Sequence, residues 1–133
     1  RGGTANCSVC ISDQPIGSPL ITAPNYLIAM NLPSLERFID AVEPGGTVIL
    51  DSSLIDKEIT RTDITVYRVP SSRMAEESGL KGLSNMILVG KLFHELGFCS
   101  EEVLEDAITK CIPPRKASML ELNRKAVALG AAQ

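Results

Sequence analysis

"YLIAMNLPSLERFIDAVEPGGTVIL", residues 26–50, holds two short apolar runs with an amphipathic stretch between them. YLIAM is continuously apolar, the pattern of a strand buried on both faces rather than one. Asn31 ends it, and Pro33 suits the first position of a helix, where its missing N–H is not needed. Leu35, Phe38, Ile39 and Val42 then form an apolar stripe, and EPGG (residues 43–46) stops the helix. TVIL, residues 47–50, is a second buried strand. Alternation of strand and helix argues for an open parallel sheet with helices on its faces.

Working outward, ITVYRV (residues 64–69) repeats the buried-strand pattern, and RMAEESG (residues 73–79) reads as a helix after it. Upstream, CSVCIS (residues 7–12) is β-prone and reads as a short strand, and DQPIGSPLITAPN (residues 13–25) as an irregular connection. Downstream the chain becomes helical. In SNMILVGKLFHELG (residues 84–97), Met86, Val89, Gly90, Phe93, Leu96 and Gly97 share one face. Ile87, Leu88 and Leu92 carry the apolar surface most of the way round, leaving Lys91 and Glu95 as the expected wet pair. Such a helix is buried between layers or against another subunit. Gly90 and Gly97 are expected to admit a neighbouring backbone. Ser100 caps the next helix, with Glu101 and Glu102 at its positive end. IPPRK (residues 112–116) breaks the chain before a last amphipathic helix over residues 117–130. Asn123 lies on that helix's apolar face and needs a hydrogen-bond partner.

The 133 residues suit one domain, residues 1–133, and 44% apolar with 22% charged residues is ordinary globular composition. A net charge of −3, 4% aromatics and no Trp give no footprint for nucleic acid. No apolar run approaches the length of a membrane span. A chain that opens Arg1-Gly2-Gly3 is read as continuing from further sequence upstream.

Cys7 and Cys10 form a Cys-x-x-Cys pair, with Cys99 and Cys111 as singletons. On a strand, positions three apart point to opposite faces, so the pair is not expected to share a tetrahedral metal. Reactive Cys-x-x-Cys pairs also sit at helix starts, and Asp13, Pro15 and Gly17 follow here instead. The expectation is four reduced thiols packed as small apolar residues, in a cytoplasmic chain with no metal of its own.

Ligands of open α/β sheets meet the carboxyl ends of the strands. Asn31, Asp51, Ser52, Ser53, Ser71 and Ser72 fall there, with Asn85 at the start of the long apolar helix. That rim suits either a polar or anionic ligand or the capping of helices and turns. His94 is the single histidine. With no Gly-x-Ser-x-Gly elbow, G-x-G-x-x-G or P-loop, no catalytic residue is assigned.

"RGGTANCSVCISDQPIGSPLI", "LIAMNLPSL", "PGGTVILDSSLI" and "GLSNMILVGKL", in that order, resemble the gamma subunit of 2-oxoacid:ferredoxin oxidoreductases. The resemblance implies a three-layer, Rossmann-like α/β domain with an open, mainly parallel sheet and helices on both faces. Family members begin with a strand, a glycine-rich loop and a helix ahead of RGG, so the sheet is expected to lack its first strand and helix and to leave an open edge. The resemblance further implies a cytoplasmic enzyme of anaerobic metabolism that decarboxylates a 2-oxoacid, joins the acyl group to coenzyme A and passes electrons to ferredoxin. In that family thiamine diphosphate and Mg²⁺ are held by alpha and beta subunits, and [4Fe–4S] clusters by beta and delta subunits. This chain would then hold no cofactor and be inactive alone. Arg1, Gly2 and Gly3, with Asn31, Ser52 and Asn85, are the candidate contacts to coenzyme A or a companion subunit, since a guanidinium beside bare N–H groups suits a phosphate or carboxylate. The wording is nearest to 2-oxoglutarate enzymes, then branched-chain (2-oxoisovalerate) and pyruvate enzymes. Two other readings stand beside it: a free-standing α/β nucleotide-binding domain, and a structural protein that homo-oligomerises through the Met86–Gly97 helix.

Overall fold

Three parallel strands, β1 (Tyr26–Ala29), β2 (Thr47–Asp51) and β3 (Thr65–Val69), lie in the order β1-β2-β3 in the computed structural model, which describes residues 5–133. Tyr26 stands opposite Thr47, Ile49 opposite Tyr67, and Asp51 opposite Val69. Alternation along the strands divides the core in two. Ala29, Val48 and Leu50 face Leu35 of α1 (Leu32–Phe38) and Val42 on one side of the sheet. Ile49 and Val69 face the other side, where Ala75 of α2 (Ser71–Glu77), Ile87 and Leu88 of α3 (Ser84–Leu96) and Ala126 of α5 (Ser118–Ala131) cover them. α4 (Glu101–Cys111) packs on α5. The fold is the expected open parallel α/β domain with helices on both faces.

Local sequence explains the helix starts. Asn31 has extended backbone and its Oδ1 accepts the Ser34 N–H at 2.9 Å, the N-cap geometry. α1 therefore begins at Leu32, one residue ahead of Pro33. Ser100 caps α4 in the same way through the Val103 N–H. α2 begins at Ser71, earlier than its apolar pattern suggested. Among the described residues no helix is long and apolar enough to cross a membrane.

Residues 7–12 are not a strand. They run as irregular chain, with Val9 and Ile11 68% and 72% exposed. Propensity alone does not make a strand; a ladder partner does, and no described strand pairs with this segment. Cys7 and Cys10 therefore are not held on opposite faces of a strand. Nor are the thiols packed as core residues: Cys7 and Cys111 are exposed, Cys10 and Cys99 half-buried, and all four are free. β1 is paired on one side only, and Tyr26 and Ile28 are 41% and 36% exposed on the face that α3 covers elsewhere.

α3 turns a different face inward from the one its sequence suggested. Ile87, Leu88, Gly90 and Lys91 are buried, whereas Met86, Val89, Phe93 and Leu96 are half-buried. Lys91, expected in water, is 5% exposed. A helix apolar nearly all round carries no clear stripe, so its neighbours choose the face. Here the neighbour is α5. A Cβ on Gly90 would stand 2.8 Å from the Val127 carbonyl carbon, and one on Gly130 2.7 Å from that of Ile87. The two helices touch backbone to backbone at these glycines. Gly97 serves differently. At φ 56° it ends α3, its N–H bonded to the Phe93 carbonyl at 3.0 Å. Asn123 finds its partner within α5, Nδ2 donating to the Met119 carbonyl at 2.7 Å.

Candidate functional site

The carboxyl ends of β2 and β3 do bring the expected polar residues together. The chain turns sharply after β2, with the Leu54 and Ile55 N–H groups both bonding to the Asp51 carbonyl. The Asp51 side chain, fully buried, accepts from the Ser53 N–H at 3.0 Å through Oδ1, and from the Ser72 N–H at 3.1 Å and Ser72 Oγ at 2.5 Å through Oδ2. Ser53 Oγ accepts the Arg73 N–H at 3.1 Å, and the Ser52 N–H donates to the Val69 carbonyl at 2.9 Å. Asp51 thus fastens the first turn of α2 to the end of β2.

Burial pushes the Asp51 carboxyl up, but the hydrogen bonds from Ser72 and Ser53 outweigh it and hold it below the ordinary value of 3.8. Ser71 Oγ, buried beside this carboxylate, also favours its charged form, although it meets no partner at full hydrogen-bond distance. With both Asp51 oxygens engaged and none of the side chain open to water, this carboxylate is a structural clip rather than a general base.

The remaining rim residues do not join that network. Asn31 is exposed and committed to the α1 cap. Ser52 is half-buried, and Asn85 is exposed in the first turn of α3. Arg1, Gly2 and Gly3 lie outside the described residues. Shallow clefts open elsewhere: one of about 290 Å³ at the amino ends of β1 and β2, lined by Asn25, Tyr26, Gly45 and Thr47 among others, and one of about 170 Å³ between α1 and residues 57–61. The second is lined by charged residues, of which Lys57 is bonded to Glu36 and Arg61 to the Ile39 and Val42 carbonyls. His94 is exposed on α3. Among the described residues no group of three or more His, Cys, Asp or Glu gathers.

One buried polar constellation escaped sequence reasoning. Lys91 Nζ donates to Glu95 Oε1 at 2.5 Å and to the Gln133 carbonyl at 2.7 Å, and stands 4.3 Å from the centre of the Tyr67 ring. Tyr67 Oη donates to Glu95 Oε2 at 2.6 Å. Lys91 and Tyr67 together hold the Glu95 carboxyl below its ordinary value, and the bond to Glu95 raises the Tyr67 hydroxyl. The Lys-x-x-x-Glu spacing was visible in the sequence; what was missing was the side of α3 that meets β3.

The sequence profile of the family "Pyruvate ferredoxin/flavodoxin oxidoreductase" matches residues 1–133. The chain belongs to this family. It is 35% identical over 120 residues to the 2-oxoglutarate synthase subunit KorC of Methanothermobacter marburgensis, covering 86% of this chain and 64% of that relative. To the ketoisovalerate oxidoreductase subunit VorA of the same organism it is 33% identical over 133 residues, covering 98% of this chain and 27% of the relative. Among solved structures, the gamma subunit of a keto/oxoacid ferredoxin oxidoreductase from Geobacter sulfurreducens shares the fold, with TM-score 0.72 at 22% identity over 81% of this chain and 62% of that one. The 2-oxoglutarate:ferredoxin oxidoreductase from Magnetococcus marinus, solved with 2-oxoglutarate, coenzyme A and succinyl-CoA bound, matches with TM-score 0.69 at 25% identity, over 81% of this chain and 19% of that one. The chain thus spans a little under two thirds of the KorC relative's length.

Proposed function

We propose that this chain is a gamma-type subunit of a cytoplasmic, multi-subunit 2-oxoacid:ferredoxin oxidoreductase of the 2-oxoglutarate type. The observation that carries the reading is the family match along all 133 residues, joined to the 35% identity with a 2-oxoglutarate synthase subunit. The reaction is the oxidative decarboxylation of the 2-oxoacid with coenzyme A. The bond to the carboxylate breaks to release CO₂, the coenzyme A thiol gives up its proton as the thioester forms, and an electron pair passes to ferredoxin. Thiamine diphosphate, Mg²⁺ and [4Fe–4S] clusters supply that chemistry from companion alpha, beta and delta subunits. This chain offers shape and contact. Arg1, Gly2 and Gly3 are its proposed contacts to coenzyme A or to a companion, with Asn31, Ser52 and Asn85 along the strand-end rim.

A branched-chain substrate is the second reading, favoured by the VorA match over 98% of the chain. A free-standing nucleotide-binding domain draws no support from the rim, whose carboxylate is spent on internal donors. The test is reconstitution with alpha, beta and delta partners, following coenzyme A-dependent dye reduction with 2-oxoglutarate, 2-oxoisovalerate and pyruvate in parallel. Adding the chain is expected to raise the rate, most with 2-oxoglutarate. Equal rates with and without it would end the subunit reading, and a preference for 2-oxoisovalerate would move the substrate.

A further inference from the structure

β2 and β3 run parallel, so the chain must cross over between them, a step that a helix usually takes. Here no helix does. The crossover, residues 52–64, is irregular, and backbone bonds tie down its two ends. The Leu54 and Ile55 N–H groups donate to the Asp51 carbonyl at 3.2 and 3.0 Å, and the Asp63 carbonyl accepts the Gly45 N–H at 2.6 Å. Between those ties the backbone is left to itself. Among the described residues, residues 56–62 make no backbone–backbone hydrogen bond. Their packing is loose as well: the cleft of about 170 Å³ lies between α1 and residues 57–61, and Ile59 is half-buried.

Side chains hold this stretch instead. Arg68 reaches out from β3, its Nη2 donating to the Lys57 carbonyl at 2.6 Å. Arg61 works from within the stretch. Its Nη1 donates to the Ile39 carbonyl at 2.7 Å and to the Val42 carbonyl at 2.9 Å, where a 3-10 turn follows α1. Its Nε and Nη2 meanwhile grip the two Asp63 carboxylate oxygens at 2.9 and 2.6 Å. A planar fork held along one edge keeps little rotamer freedom, so the remaining nitrogen is aimed. The Lys57–Glu36 pair also spans the cleft, but both side chains are about half exposed, and pairs of that kind hold little. The Arg61 side chain is 20% exposed. We propose that residues 56–62 form a strap that opens and closes as one unit on the α1 side of the sheet without disturbing the strands, with Arg61, aimed by Asp63, as the pin that keeps it shut.

Limited proteolysis of the full chain with a glutamate-specific protease, reading the cut after Glu58 by mass spectrometry, tests the pin. A protease needs a locally opened segment, so the cutting rate follows the open population. Arg61→Met keeps most of the stem and deletes the donors. It is expected to raise the rate of that cut about tenfold, since two hydrogen bonds from a charged group are lost. Asp63→Asn leaves the guanidinium in place but loosens its aim, and should raise the rate by a smaller factor. It keeps the test open should Arg61→Met fail to fold. Arg61→Lys retains the charge without the fork and should not restore wild-type resistance. Glu36→Gln, which breaks only the exposed pair, should change the rate by less than about twofold. Hydrogen–deuterium exchange in β2 and β3 should stay at wild-type rates in every variant. Wild-type cutting in both Arg61→Met and Asp63→Asn overturns the pin, as does a Glu36→Gln protein cut as fast as Arg61→Met. Exchange in β2 and β3 that quickens together with the cut overturns the strap as a separate unit.

Discussion

Gly90→Ala probes the contact on which the helical layer is built. A methyl at this position would lie 2.8 Å from the Val127 carbonyl carbon and 2.9 Å from its Cα. Carbon atoms rest at about 3.5–4.0 Å, and the Val127 carbonyl oxygen lies closer still to the added methyl, so α3 and α5 must part by more than about 1 Å locally. The obstacle is backbone and has no rotamer to change. Overpacking of this kind costs about 1–3 kcal/mol, and a rigid obstacle puts the cost near the upper end. Alanine returns about 1 kcal/mol through better helix propensity. The expected net loss is about 2 kcal/mol, or a fall in Tm of about 8 °C at roughly 4 °C per kcal/mol for a chain of this size. Urea unfolding followed by circular dichroism, with Gly130→Ala and the double variant beside it, measures this. Gly130→Ala meets the Ile87 backbone in the same way. One separation of the helices relieves both clashes, so the double variant should lose less than the sum of the singles. A Gly90→Ala protein that gains stability, as propensity alone predicts, would refute the backbone contact.

Asn31→Ala removes the side-chain acceptor at the start of α1 and should lower stability by about 1 kcal/mol, read as a shift of the urea midpoint with unchanged slope. The Asp51 carboxyl is depressed in the folded state, so its contribution is fully present above the ordinary value of 3.8 and is lost as pH falls through the lower folded value. Chemical denaturation from pH 7 down to pH 2 should show that loss in the wild type. Asp51→Asn, less stable at pH 7, should give a shallower acid limb, and an unchanged acid limb would contradict the clip.

How much was legible depended on where the information lay. Strands 26–29, 47–51 and 65–69 were readable because apolar runs bounded by turn residues mark strands, although only β2 is buried on both faces and β1 leaves Tyr26 and Ile28 exposed. The cap at Ser100 was readable because a cap is a contact across three residues, whereas Asn31 stood open between capping and ligand contact until its side chain was seen on the Ser34 N–H. The polar rim was readable as a place, since strand ends follow from chain order, but not as a state: nothing in DSS or PSS says that Asp51 turns inward and spends both oxygens on Ser53 and Ser72. Residues 7–12 misled because β propensity describes a segment and pairing describes two. α3 misled because its apolar surface is nearly continuous.

Taken alone, the amino-acid order determined the three strands and the helices after them, the parallel arrangement and the family, since periodicity, breakers and ordered motifs are properties of contiguous residues. Tertiary structure decided that Lys91 goes inside, that Gly90 is a crossing point while Gly97 is a stop, and that the Cys-x-x-Cys segment runs unpaired. Each of those outcomes depends on a neighbour distant in the chain: the end of α5, the Val127 backbone, or a strand to pair with. A local pattern cannot report the free energy of a contact whose other half lies tens of residues away.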